Sequence, residues 1–479
     1  MKKLAAIAVS ILLVACGGGG GGGGPATANS LAASATLANR CAAPRSGTLD
    51  QPGTMADEKA YLRSFVDETY LWYRDVPNNL VAANYATPQA YFDVLKTNAR
   101  TTSGTLVDQF HWSQTTASWN AAVSGISEDY GIQWAVQATT TPRNLIVAEV
   151  EPGSPADLAG VKRGDRVTSV DGIDFVNDNT SAGIAILNQG VFPSVVAPHN
   201  FGFNGNPEIS LTPTTYNTVT VQKVKTIATA TGTVGYFVFD THIANAEAEL
   251  IAAVNQLKAA NVSDLIIDMR YNGGGYLYIA SELAYMVAGP GPTNGKTFEQ
   301  LTFNDKLTAS NTVYPFYNAF TSGNATLPLP YLGLNHVTIL TTSDTASASE
   351  SVINSLRGVD VVVDLIGGTT RGKPYGFVPQ DNCGYTYFAI QFKGVNNKGY
   401  GDYSDGFAPT CNAPDDFTHA RGDTAEAMLA SALSYRQTKP NCPAVAVVAQ
   451  PFLNANGQGF KLVRPASQEM RILTGMPRL

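Results

Sequence analysis

The hydrophobic pattern along the chain changes period several times, and each change predicts a different element. From Asp57 to about Trp119 it is helical: Tyr61, Phe65, Val66 and Tyr70, with Trp72 beside them, share one face of a helix that Pro77 ends, and Thr87-Pro88 caps a second helix. Between Tyr130 and Phe175 the runs YGIQWAVQ and NLIVAEV read as strands. Ser154-Pro155 opens a short helix closed by Gly160, and Asp165 to Val170 is a strand entering an Asp171-Gly172 turn. Glu208 to Val224 closes this β unit. A βαβ unit follows: a strand from Thr233 to Phe239, a helix from Ala244 to Ala260 with Leu250, Val254 and Leu257 inward, and a buried strand from Asp264 to Met269. Residues 289 to 335, rich in Pro, Gly, Asn and Thr, read as an irregular insertion bordering a channel. Val337 to Thr342 is a strand, ASESVINSLRG a helix stopped by Gly358, and Val359 to Ile366 a strand leading to a loop with Arg371 and Lys373. Asp423 to Arg436 is a last helix, and no internal repeat is present. The pattern predicts an α/β multidomain chain: a helical domain at 55–119, a β domain at 120–225, an α/β core at 226–442 and a tail at 443–479.

Composition adds export to this picture. Residues 1–16, MKKLAAIAVSILLVAC, pair two lysines with an apolar stretch too short to span a bilayer. The segment resembles a bacterial lipoprotein signal, which implies that Cys16 is lipidated and becomes the mature N-terminus. The eight glycines from Gly17 and the Ala/Ser/Thr-rich stretch after them extend a flexible tether over 17–54. Gly17 rather than Asp after the cysteine implies, by the same resemblance, a cell-envelope location at the outer membrane, facing the periplasm or the cell surface. Net charge is −7 with no basic run, which leaves no nucleic-acid footprint. The four remaining cysteines, Cys41, Cys383, Cys411 and Cys442, suit two disulfides in an exported chain. Three pairings are open; Cys383 with Cys411 and Cys41 with Cys442 is the expected one. His111, His199, His242, His336 and His419 are scattered, with His242 the best placed for a Ser/His/Asp triad, and no cluster has metal-ligand spacing. No metal and no cofactor is expected.

Three local patterns carry candidate chemistry. Ser347 falls at a helix N-terminus, where unbonded N–H groups favour developing negative charge, although serines also sit there simply as caps. Lys373 follows 26 residues later, enough for a helix and a return strand to bring it to the same sheet edge. Burial there lowers a lysine pKa and makes it a base for a serine hydroxyl. Asn272-Gly273-Gly274-Gly275, between a strand and a helix, exposes backbone N–H groups as an oxyanion hole requires, or is a plain turn.

Together these segments resemble the carboxyl-terminal processing, or tail-specific, serine peptidases. The quartet Ser347-Ala348-Ser349-Glu350, the run Asp268-Met269-Arg270-Tyr271-Asn272-Gly273-Gly274 and the pair Gly372-Lys373 match that family's nucleophile turn, oxyanion segment and lysine loop. The resemblance implies Ser347 as nucleophile, Lys373 as general base, and the N–H of Ala348 with that of Gly273 or Gly274 as the oxyanion hole. The family loop supplies a glutamine four residues after the lysine; here that residue is Phe377, so Gln380, Asp381 and Asn382 are the candidate replacements. Residues 120–225 resemble a bacterial-type PDZ domain, with Gly131 and Ile132 at the position that binds a peptide carboxylate. The expected function is a lipid-anchored serine endopeptidase acting on exported polypeptides with accessible C-termini. The alternative is a non-catalytic, PDZ-containing lipoprotein that binds peptides.

Overall fold

The computed structural model describes residues 31–322, 325–444, 460–463 and 475–476. Cys16, the signal segment and most of the tail therefore lie outside the described residues. The centre is a six-stranded sheet in the order Val221–Thr229, Gly232–Phe239, Asp264–Asp268, His336–Thr341, Val362–Gly367 and Cys411–Asn412. Its first pair is antiparallel and every later pair parallel. The near-continuous apolar runs follow from coverage on both faces, the condition under which parallel strands lose alternation. The helices Ala246–Ala259, Leu277–Ala288 and Ala348–Gly358 pack with Phe237, Ile267 and Ile339 on one face. Met428, Leu429 and Ala432 of the Ala427–Thr438 helix cover Val234, Ile266 and Leu340 on the other. Leu250, Val254 and Leu257 point inward as their spacing requires.

Several expected boundaries move. The first long helix, Met55–Thr69, is closed at its start by a reciprocal Thr54–Asp57 capping box, but it ends before Pro77 because the next residues leave to bond elsewhere. The Leu71 N–H donates to Ile390 O at 2.8 Å. Residues 55–119 pack closely on the core: Tyr61, Leu62 and Phe65 share a cluster with Tyr387, Ala389 and Ile390, and strand Trp112–Thr115 pairs with Tyr385–Phe388. The tether expected over 17–54 also gives way to built structure from Ser34. Ser34–Leu37 is a helical turn, Arg40–Cys41 pairs with Gln51–Pro52, and the Ser34 N–H donates to Glu68 at 2.7 Å.

The disulfides are Cys41–Cys383 and Cys411–Cys442, with Cα–Cα distances of 5.3 and 5.5 Å, so the expected pairing is corrected. Cys383 sits in the turn between Gln380–Asn382 and Tyr385–Phe388, against the N-terminal segment, and the Asn39 N–H reaches Asn382 there. Cys411 is on the edge strand to which the chain returns after the last helix. The 289–335 insertion is not irregular either. Thr297–Phe303 is the second strand of a four-stranded antiparallel sheet with Thr312–Pro315, Phe392–Val395 and Tyr375–Gly376, and it buries Phe298 and Leu301.

The β domain has its own core around Ile132, Trp134, Val147, Val167, Leu187 and Phe201. It contains the Ile132–Ala138 and Asn144–Val150 strands, the Ser154-capped turn Pro155–Leu158 and the helix Ser181–Val191. The Val221–Thr229 strand belongs to the central sheet, so that domain ends a few residues earlier than expected. A buried ionic network joins the two bodies. Arg163 of the β domain bonds Asp415 and Tyr271, Arg421 bonds Glu149 and Asp240, and Arg270 is bidentate to Asp268 and contacts Asp415 and Glu426.

Candidate active site

Three parallel strands end at one edge of the central sheet, and the loops leaving Asp268, Thr341 and Gly367 meet there, the usual place for a site in an α/β sheet. Ser347 is the residue before the Ala348–Gly358 helix. It has φ 57 and ψ −120, a conformation that costs a side-chain-bearing residue of order 1–3 kcal/mol and persists only where neighbours enforce it. Glu350 is the main enforcer. Its Oε2 accepts the Ser347 N–H at 2.9 Å and the Lys373 N–H at 2.8 Å, and its Oε1 accepts the Gly372 N–H at 2.7 Å and the Thr370 hydroxyl at 2.6 Å. One carboxyl therefore fixes the backbone of both candidate catalytic residues. Burial pushes its pKa up, while these four donors, which favour the anion, oppose the rise.

Lys373 is 1% exposed. Burial brings its pKa down to about 7, against the nearby charges of Asp108 and Glu350, which raise it, and with a further lowering from Arg371. The Nζ lies 4.3 Å from the Phe377 ring centroid and 5.1 Å from that of Phe110. Asp108 is itself fully buried and held by the Tyr70 hydroxyl at 2.6 Å and the Phe110 N–H at 2.9 Å. Ser347, Ala348 and Lys373 line one narrow cavity with Leu277, Ser351 and Phe392. Glu299 closes it, with Ser351 Oγ 3.2 Å from Oε2, and burial pushes its carboxyl up to about 8.

The glycine turn lies against the nucleophile turn. A Cβ on Gly274, whose φ is +100, would come within 2.9 Å of the Ala348 N and of Ser347 Cβ. The Ala346 N–H donates to Asn272 O at 3.1 Å and the Ser349 hydroxyl donates there at 3.0 Å. Of the expected oxyanion donors, Gly274 is corrected: its N–H is taken by Asn272 Oδ1 at 2.9 Å. The N–H groups of Ala348 and Gly273 have no acceptor among the described residues. His242 is fully buried, bonded through Nδ1 to Asn272 Oδ1 at 3.1 Å, and held neutral by burial with its pKa down to about 3. It supports the glycine turn and does not sit with Ser347 and Lys373 in their cavity.

Other expected residues fall elsewhere. Asp381 accepts from Thr386 and Asn382 accepts from Asn39, so the strand Gln380–Asn382 anchors the N-terminal segment. In the β domain the Gly131 N–H is occupied by Asp129 Oδ1 at 2.6 Å, and Ile132 is buried in a strand paired with Val150. Asp108, Phe110 and Glu299 were not legible as site residues. They enter from segments far away in the chain, and only the short polar interruption Asp108-Gln109 between Leu106-Val107 and Phe110 marks the first of them.

Residues 233–382 match the model of peptidase family S41, residues 146–188 that of a PDZ domain, and residues 57–113 that of the peptidase S41 N-terminal domain. A carboxyl-terminal-processing protease of Picosynechococcus sp. is 28% identical over 181 residues, 35% of this chain and 40% of that protein. The chloroplastic carboxyl-terminal-processing peptidase 2 of Arabidopsis thaliana is 28% identical over 170 residues, 34% of this chain and 32% of that protein. The match thus spans less than half the length of either relative. A solved structure from Bacteroides fragilis NCTC 9343, whose name places it among S41 proteases, has the same fold, with a TM-score of 0.65 and 22% identity over 80% of this chain and 98% of that one.

Proposed function

We propose that this chain, which belongs to peptidase family S41 and carries that family's N-terminal domain and a PDZ domain, is a serine endopeptidase with a Ser347/Lys373 dyad. The observation that carries the reading is the convergence of the Ser347 and Lys373 N–H groups on one oxygen of Glu350, beside a cavity that both side chains line. A lysine with a pKa of about 7 is largely neutral at mildly alkaline pH and can act as a base.

In the acylation step, Lys373 Nζ takes the Ser347 hydroxyl proton as Oγ bonds to the scissile carbonyl carbon. The carbonyl oxygen becomes an oxyanion between the Ala348 and Gly273 N–H groups. Collapse breaks the C–N bond, and the Lys373 ammonium returns its proton to the departing amine. Water, deprotonated by Lys373, then attacks the acyl carbon and releases a new carboxylate with Ser347 restored.

The substrates are exported polypeptides with accessible C-termini, recognised through the PDZ domain. Lipidation at Cys16 holds the enzyme at the membrane of the cell envelope, facing the periplasm or the cell surface. Ser347→Ala and Lys373→Ala are each expected to abolish cleavage of an unfolded protein, and a serine-directed phosphonate is expected to label Ser347. Cleavage surviving either substitution refutes the dyad. Mass spectrometry of the N-terminal peptide tests the acyl chains on Cys16.

A further inference from the structure

The Ile132–Ala138 strand of the PDZ domain has two edges. Asn144–Val150 pairs with one, and Lys461–Val463, from the chain's own C-terminal tail, pairs antiparallel with the other. Lys461 lies opposite Val136, Leu462 opposite Ala135 and Val463 opposite Trp134, so the tail strand runs toward the Gly131–Ile132 turn. This is the edge and the direction that an added peptide strand would use. Its side chains alternate as a bound peptide's would. Phe460 and Leu462 are 3% and 7% exposed while Lys461 faces solvent. The Phe460 ring meets Phe417 edge-on at 4.9 Å, and Leu462 packs with Ala135, Ala148 and Tyr271 of the oxyanion segment. Further along the same tail, Gly475–Met476 pairs with Gly275–Tyr276, directly after the glycine turn.

We propose that Phe460–Val463 is a resident ligand of the PDZ peptide edge, which a substrate's tail enters by displacing it, and that the substrate must carry apolar residues in the Phe460 and Leu462 positions. The inference rests on the peptide-recognition reading above. A three-residue strand is short enough to exchange, since few ladder bonds hold it. The competition is intramolecular, so free substrate affinity is reduced by the fraction of molecules in which the edge is open. The same contacts specify the ligand class: an extended peptide with an aromatic and an aliphatic residue two positions apart.

The test uses full-length protein carrying Ser347→Ala and a fluorescein-labelled peptide ending Phe-Lys-Leu-Val with a free carboxylate, read by anisotropy. Releasing the tail with Phe460→Ser and Leu462→Ser is expected to tighten binding about tenfold, as for an edge that is open about a tenth of the time. Locking it by a disulfide between Ala135→Cys and Leu462→Cys is expected to abolish binding, whereas the two single-cysteine controls bind. A Ser-Lys-Ser-Val peptide is expected to bind at least tenfold more weakly than Phe-Lys-Leu-Val. Equal affinity in the parent and released proteins, or undiminished binding in the locked one, overturns the resident-ligand proposal alone. Absence of binding in parent, released and single-cysteine proteins alike overturns it together with the peptide-recognition reading.

Discussion

Asp108→Asn separates the electrostatics of the lysine from its position. The substitution keeps the shape of the side chain, its oxygen can still accept the Phe110 N–H, and the Tyr70 hydroxyl can turn to accept from the new amide. It removes the largest charge that holds the Lys373 pKa up against burial. An opposite charge at close range moves a pKa by about 1–3 units, and with Glu350 still present the low end applies, so Lys373 is expected to fall from about 7 to about 6. At pH 6 the neutral fraction then rises from roughly a tenth to roughly a half, about fivefold. A weaker base also transfers protons less well, so the plateau at high pH is expected to drop about threefold. The assay is kcat/KM on an unfolded or fluorogenic peptide substrate from pH 5 to 9. The variant should be the better enzyme at pH 5.5 and the poorer one at pH 8.5. An acid limb that stays put, with loss at every pH, refutes the assignment of that limb to Lys373.

Lys373→Met is expected to be inactive yet more stable near pH 6. The lysine pKa is lowered in the fold, so the unfolded chain binds more protons between about pH 7 and 10.5; stability rises with pH through that window and the full cost is present below it. Removing the buried amine is expected to raise stability by about 2–4 kcal/mol at pH 6, measured by denaturant titration. Glu299 has the opposite sign. Its pKa is raised, so the folded chain holds the extra proton between about 4.5 and 8, and stability is lost as pH rises through that range. Glu299→Gln is expected to be near neutral at pH 4.5 and stabilising by a few kcal/mol at pH 8.5, read by the same titration. Gly274→Ala places a methyl against Ser347 at a φ of +100 and is expected to lower kcat by about a hundredfold or more, the effect of disturbing an oxyanion donor, with little change in global stability of the remote PDZ core.

The parts of the site that the sequence made legible are those set by neighbours in the chain. Ser347 and the glycine turn each lie between a strand and a helix, and their punctuation is local. Lys373 follows from one further strand. Asp108 and Glu299 are hidden in the sequence because Asp108 lies 265 residues before Lys373, and Glu299 comes from a strand inside the segment expected to be irregular. The alternation in Thr297–Phe303 is weak, since Glu299 points into the core where an apolar residue would mark the face. Cysteine pairing failed for a related reason: which thiols meet depends on where the Gln380–Asn382 turn and the last helix dock, and neither docking leaves a periodic trace. The tether was overextended because Ala and Ser composition hides the bonds that Ser34 and Arg40–Cys41 make to the folded body.

Glu350 ties the turn bearing the hydroxyl and the loop bearing the amine to the same oxygen atom. Displacement of either segment is thereby transmitted to the other, so the hydroxyl and the amine of the proposed dyad move as one mechanical unit. The neighbouring module can then tilt while Thr370, Gly372 and the two backbone N–H groups keep their hold on one carboxyl, leaving the spacing of the proposed dyad unchanged.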